Sequence, residues 1–297
     1  MTSADVVADH RAAGRAFTAA GLTGFVREAG DGEPVLCMHG VPTSSFLYRK
    51  VLDELAARDV RGVAFDLPGL GLADRPENFD YTWTGLGQYC VAAVDALELQ
   101  HFHLVVHDVG GPVGFELAAA VPDRVKSLTV LNTIVDVDTF KRPWSMEPFA
   151  RRGVGEVYLR ALSKPAFRML MALQGVADRS AVPDPELDAY VDLLKRGWRS
   201  SVPEDHARLR ADGRQARPLP LGAGRQARPL PLGARRRRYP VQVVWGARDP
   251  ALKIDTHGEA ARRAAGVDTI HRLPGKHFLQ EDQAPAIADL VAAIARG

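Results

Sequence analysis

The 297-residue chain is predicted to be an α/β fold, a mostly parallel central sheet with helices on both faces and an inserted helical cap. Three observations predict it. Short apolar runs bounded by turn residues alternate with segments of helical period. One apolar run, Leu104 to Val106, is followed three residues later by a double glycine, Gly110-Gly111, and then a helix pattern. The interval from Leu131 to Pro240 is too long for a crossover between neighbouring strands, so an extra unit is inserted there.

Gly24 to Ala29 and Pro34 to Met38 read as strands, followed by a helix capped by Ser44 or Ser45, with Tyr48, Val51, Leu52 and Leu55 on one face. Gly62 to Phe65 is a third strand. Thr82 or Thr84 opens a helix whose apolar face is Leu86, Cys90, Val94 and Leu97. His103 to His107 is a buried strand, Gly111 to Val121 a helix, and Val125 to Leu131 and Pro240 to Trp245 two more strands. The last helix starts near Pro285 and buries Ile287, Leu290, Val291 and Ile294.

These elements divide the chain into a core, 1–135 and 239–297, and a helical cap, 136–212, with helical signals over 158–173 and 186–196. An insertion after a sheet strand is placed to cover the carboxyl ends of the strands, where ligands bind in open α/β sheets.

The remaining segment, 213–238, differs from the rest. GRQARPLPLGA from Gly213 to Ala223 is repeated unchanged from Gly224 to Ala234, and four arginines follow. Between Arg208 and Arg238 ten Arg face one acid, Asp212, a local charge of +9, so the rest of the chain carries 2 − 9 = −7. Frequent proline removes backbone donors, and the apolar residues follow no period. An exposed flexible loop is expected. No aromatics are interleaved to stack on bases, so nucleic acid is not an expected partner. A tandem copy of Arg, Pro, Gly, Ala and Leu is also what a local duplication or a shifted reading frame would yield.

Composition excludes other classes. A hydrophobic fraction of 46% with 25% charged residues is that of a globular chain rather than a disordered one. No run approaches the roughly 18 apolar residues of a membrane span, and the first residues lack the apolar stretch of a signal peptide, so the expected location is the cytoplasm. Cys37 and Cys90 form no CxxC pair and read as buried thiols. No metal cluster, phosphate loop or dinucleotide fingerprint is present, and no metal or other cofactor is expected.

The chemistry-bearing signal is Val105-Val106-His107-Asp108-Val109-Gly110-Gly111. A buried strand runs into a helix with Asp108 at the junction, and the glycines let the backbone turn sharply. This is nucleophile-elbow geometry with Asp in place of Ser. A helix cap is the plainer role for such an Asp, but it leaves the double glycine unexplained. A carboxylate is ionised at neutral pH without help from a base. It suits displacement at a carbon bearing halogen or epoxide oxygen, giving an ester that must then be hydrolysed by base-activated water. Asp249 follows the strand ending at Trp245, and His277 precedes the last helix, in the order nucleophile, acid, histidine. Oxyanion donors are expected from the backbone N–H groups of Val41, in His39-Gly40-Val41-Pro42, and of Val109. His39 is expected to brace its loop.

HGVPTSSFLYRK, DLPGLGLADRP, VVHDVGG, WGARDP and GKHFLQED, spread over most of the chain, resemble the corresponding motifs of the haloalkane dehalogenase branch of the α/β-hydrolase superfamily. The resemblance implies an α/β-hydrolase fold, Asp108 as nucleophile, His277 as base, Asp249 as acid, and a small apolar electrophile and water as reactants. One departure bears on the reaction. The family usually places a Trp directly after the nucleophile to cradle the departing halide, and an Asn at the position of Val41. This chain has Val109 and Val41, whose side chains donate nothing. Trp144 is the candidate replacement from the cap. Epoxide hydrolases share the Asp elbow and use cap tyrosines to protonate the opening oxygen; Tyr158 and Tyr190 are the candidates here, with ordinary helix packing the plainer role for both. A degenerate, non-catalytic hydrolase fold is a third reading, and the oligomeric state is not legible.

Overall fold

The computed structural model describes residues 1–136, 162–199 and 239–296. The chain opens with α1 (Ser3–Ala12), closed by a reciprocal cap in which Asp5 N–H donates to Thr2 Oγ1 and Thr2 N–H donates to Asp5. β1 (Gly14–Ala19) and β2 (Leu22–Ala29) form a hairpin. Its two turn residues, Ala20 and Gly21, both have positive φ, as a tight right-twisted hairpin requires. β3 (Glu33–Met38) leads through a short 3₁₀ turn, capped by Ser44, into α2 (Arg49–Ala56). β4 (Val60–Phe65), α3 (Trp83–Ala96), capped by Thr82, and β5 (Phe102–Asp108) follow. Then come α4 (Gly110–Ala120) and β6 (Val125–Thr133).

Within the inserted segment, α5 (Lys164–Leu170) continues through a π-helical turn, Met171–Gly175, and is followed by α6 (Asp184–Arg199). The chain returns to the sheet with β7 (Val241–Gly246), α7 (Glu259–Ala265), β8 (His271–Leu273) and α8 (Ala284–Arg296).

The eight strands form one sheet in the order β1-β2-β4-β3-β5-β6-β7-β8. Pairings from β4 through β8 are parallel, and β2 joins β4 antiparallel. Alternate residues of each strand point to opposite faces, and this makes two cores. Leu104 and Val106 pack with α3 and α4, while Val105 packs with α2, α8 and residues of α5 and α6. Both faces are covered, which is why the central strands read as unbroken apolar runs.

Each strand and helix expected for the core is present. β6 runs two residues beyond the expected end, to Asn132 and Thr133. α1, β1, α7 and β8 were not foreseen. The repeat segment, Trp144 and Tyr158 lie outside the described residues. Cys37 and Cys90 are buried and unpaired, and burial pushes both thiols up. Among the described residues no helix is long and apolar enough to cross a membrane, and no group of three or more His, Cys, Asp or Glu could hold a metal ion.

Candidate active site

Parallel strands place their carboxyl ends side by side, so β3, β5, β6 and β7 deliver the loop after Met38, Asp108, Asn132 and the loop holding Asp249 to one edge of the sheet. Asp108 ends β5 with φ +51°, a left-handed conformation that side chains rarely adopt. Close packing imposes it. A Cβ at Gly110 would come within 2.5 Å of His39 O, and one at Gly111 within 1.8 Å of Thr133 Oγ1. A Cβ at Gly40 would lie 2.1 Å from Asp108 Oδ1. Glycine at these three positions is what lets the strand turn and the carboxylate rest against the loop after β3.

That loop supplies the carboxylate's partner. Val41 N–H donates to Asp108 Oδ1 at 2.8 Å. Burial alone would push Asp108 up, but His277 beside it, His107 and the Val109 N–H hold it below the usual carboxylate range. Both expected backbone donors thus bear on the same carboxylate. The loop is braced by His39, whose Nδ1–H donates to Gly40 O at 2.9 Å while Nε2 accepts from Leu67 N–H at 3.1 Å. Both ring nitrogens are occupied and burial keeps the ring neutral.

His277 lies between two carboxylates. Its Nδ1–H donates to Asp249 Oδ2 at 2.8 Å, and its Nε2 lies 3.5 Å from Asp108 Oδ2, an ion-pair distance. Burial works against a charge on the ring, but Asp249 and Asp108 push it up to about 10. Asp249 has a fully buried side chain. Burial would raise it, but His277, Asn132 and the Leu252 N–H keep it ionised below its usual range. Its Oδ1 accepts from Ala251 and Leu252 N–H at 2.8 and 2.9 Å, and its Oδ2 also accepts from Asn132 Nδ2 at 2.6 Å. Four donors satisfy this buried charge. The side chains of His277 and Asp108 keep only 11% and 14% of their surface exposed, so little water screens the pair.

Asn132 is the site residue that sequence reasoning missed. It spans two elements, giving Nδ2–H to Asp249 and accepting Gly246 N–H at 2.8 Å. A lone amide closing the apolar run Leu128 to Leu131 was the available signal.

Of the three pocket candidates only Tyr190 is described, and it takes the plainer of its two roles, helix packing. It is buried in the second core against Phe46 and Phe167, with its hydroxyl donated to Glu281. Glu281 also takes a two-pronged bond from Arg49, at 2.6 and 2.8 Å, and Arg49 reaches Glu186 of α6. A hydroxyl committed to this charge cluster is not available to a substrate oxygen. Two backbone bonds tie the same region to the site, from His277 N–H to Gln174 O and from Phe278 N–H to Gly175 O.

A family model described as alpha/beta hydrolase fold matches residues 33–284. A haloalkane dehalogenase of Mesorhizobium japonicum is 31% identical over 279 residues, covering 90% of this chain and 86% of that one. A haloalkane dehalogenase of Mycolicibacterium paratuberculosis is 27% identical over 271 residues, covering 88% of this chain and 83% of that one. Among solved structures, a mutant epoxide hydrolase of Vigna radiata superposes with a TM-score of 0.72 at 20% identity, over 95% of this chain and 98% of that one.

Proposed function

Starting from the premise that the chain belongs to the alpha/beta hydrolase fold family and is a haloalkane dehalogenase-like enzyme, we propose that Asp108 is its nucleophile and that it hydrolyses a small apolar electrophile through a covalent ester. The observation that carries this reading is the position of His277, bonded to Asp249 and 3.5 Å from Asp108 Oδ2, while Val41 N–H holds Oδ1. In the first step Oδ2 attacks an sp³ carbon, a C–O bond forms, and the leaving group departs with the electron pair of the broken bond. In the second step water adds to the Asp108 carbonyl carbon, His277 Nε2 takes its proton, and the alcohol leaves as the carboxylate returns. Water supplies the oxygen that restores Asp108, and the product keeps the original Asp108 oxygen.

The charges suit this order. In the free enzyme two carboxylates hold His277 protonated, which keeps Asp108 ionised. Esterification neutralises one of them, so the imidazole's hold on its Nε2 proton weakens; that proton passes to solvent, or to the oxygen of an opened epoxide, and the neutral ring is then the base that the second step requires. As negative charge gathers on the carbonyl oxygen during water addition, that oxygen lies against the Val41 and Val109 N–H groups. In this reading residues 136–212 are the cap, and α5 and α6 are its described helices.

The leaving group defines the second reading. Neither Val41 nor Val109 offers a side-chain donor to a halide, and that favours an epoxide, whose leaving oxygen stays attached to the product. Single turnover with excess enzyme in ¹⁸O-water, using 1,2-dibromoethane and styrene oxide in turn, tests the two-step scheme. Label in Asp108 and not in the first-turnover product supports the ester, and label directly in the product overturns it. The substrate that turns over identifies the leaving group.

A further inference from the structure

His107 precedes the elbow residue, is fully buried, and has no part in the steps above. Its ring centroid lies 4.9 Å from that of His277 and 5.9 Å from that of Phe278. Its Nε2 lies 2.9 Å from His277 O. A carbonyl can only accept, so the proton sits on Nε2 and the ring's other nitrogen, Nδ1, carries a lone pair. That nitrogen is buried and has no hydrogen-bond partner among the described residues.

A buried imidazole with one idle nitrogen is a poor choice for packing alone, since the idle atom loses its water without a replacement. His277 sits in a turn with no regular ladder to hold it, and its backbone has two anchors. Its N–H reaches Gln174 O in the π-helical turn at a long 3.3 Å, and its C=O takes the His107 proton at 2.9 Å. The second is the tighter, and it comes from the strand that carries the nucleophile.

We propose that His107 is a positioning residue for the base: by donating Nε2–H to the His277 carbonyl it fixes the imidazole between Asp249 and Asp108. The charges facing His107 are those of the site itself, His277, Asp108 and Asp249. Burial, with the neighbouring His277 charge, pulls its pKa down to about 4, so the donor tautomer persists at neutral pH. Elbow and base are thereby locked across adjoining residues, and a shift of β5 carries both.

The inference rests on reading His277 as the base, and its test separates the two. His107→Phe keeps an aromatic ring and loses the donor. His107→Gln carries an amide N–H of similar reach and restores it, and His107→Asn falls one methylene short. In each variant, nuclear magnetic resonance follows the titration midpoint of the His277 ring and its Nδ1 proton, with no substrate present. The expected result is that Phe and Asn lower the midpoint by about one unit, a tenfold weaker hold on the proton, and broaden the Nδ1 signal, while Gln leaves both as in the wild type. If Phe fails to fold, the Asn and Gln pair decides. A folded Phe or Asn variant with an unchanged midpoint, or a Gln variant no better than Asn, overturns the proposal. Because no turnover is measured, failure of the ester chemistry would show in the ¹⁸O experiment and leave this readout intact.

Discussion

Val41 N–H donates to Asp108 Oδ1 at 2.8 Å, on the side where Gly40 leaves no room for a Cβ. One carboxylate oxygen is therefore held by backbone and the other, Oδ2, is left toward His277 and the opening. In the proposed scheme a carboxylate fixed in this way needs no reorganisation when the ester carbonyl later takes on charge, because the donor is already in place.

Asp108→Ala is expected to abolish turnover and leave the fold intact. The side chain is half-buried, so its loss leaves Val41 N–H without its acceptor, at about 1–3 kcal/mol. Relief of the φ +51° strain on a side-chain-bearing residue does not follow, since Ala carries a Cβ too. Residual activity above a trace in a folded variant, measured by product formation, contradicts the nucleophile assignment.

His277→Gln should slow ester hydrolysis by at least about a hundredfold, the contribution typical of a positioned base, and change ester formation far less. Rapid-quench mass measurement reads both steps. Equal slowing of the two would show that His277 acts on the substrate rather than on water.

The pH dependence of stability carries the same signature. His277 is raised in the folded state from an ordinary 6.5 to about 10, so its contribution is fully present below about 6.5 and is lost as pH rises through about 10. The difference in urea midpoint between wild type and His277→Phe should shrink across that window. A difference that stays flat from neutral to alkaline pH would mean that the two carboxylates do not hold the ring charged.

Arg49→Met should destabilise the fold by about 3 kcal/mol or more, because Glu281 is then buried without its two-pronged partner. Replacing both, with Glu281→Leu added, leaves no orphaned charge from the pair and should recover much of the loss. Chemical denaturation compares the single and double variants, and a double variant as weak as the single one would show that packing, not charge, sets the cost.

Simple chloroalkanes should be poor substrates, and Val109→Trp should improve halide release. One preorganised donor at a developing charge is worth about 3–4 kcal/mol, and Val109 offers none through its side chain. Efficient dechlorination by the wild type would mean that another residue supplies the donor, with Trp144, which lies outside the described residues, the candidate.

The residues legible in the sequence are those whose constraint is local. Gly110 and Gly111 mark the elbow because no side chain fits against Met38, His39 and Thr133, and an apolar run followed by two glycines shows that without a structure. Asn132 escaped because its role joins two loops: its partners, Asp249 and Gly246, are distant in sequence, and an amide at a strand end has many uses. Tyr190 stayed open between pocket and packing because Glu281, which takes its hydroxyl, lies 91 positions away. α1 and β1 gave weak signals for a different reason. α1 buries only Val6 and His10, and β1 only Phe17 and Ala19, so neither shows a continuous apolar face.

The central claim is that Asp108 forms an ester that His277 resolves. Intact-mass measurement of His277→Phe after exposure to 1,2-dibromoethane and to styrene oxide tests it most directly. The account predicts a stable adduct from at least one of them, of the mass of the substrate fragment and mapped by peptide digestion to Asp108. An unmodified, folded protein after both exposures, or an adduct on any other residue, would contradict it.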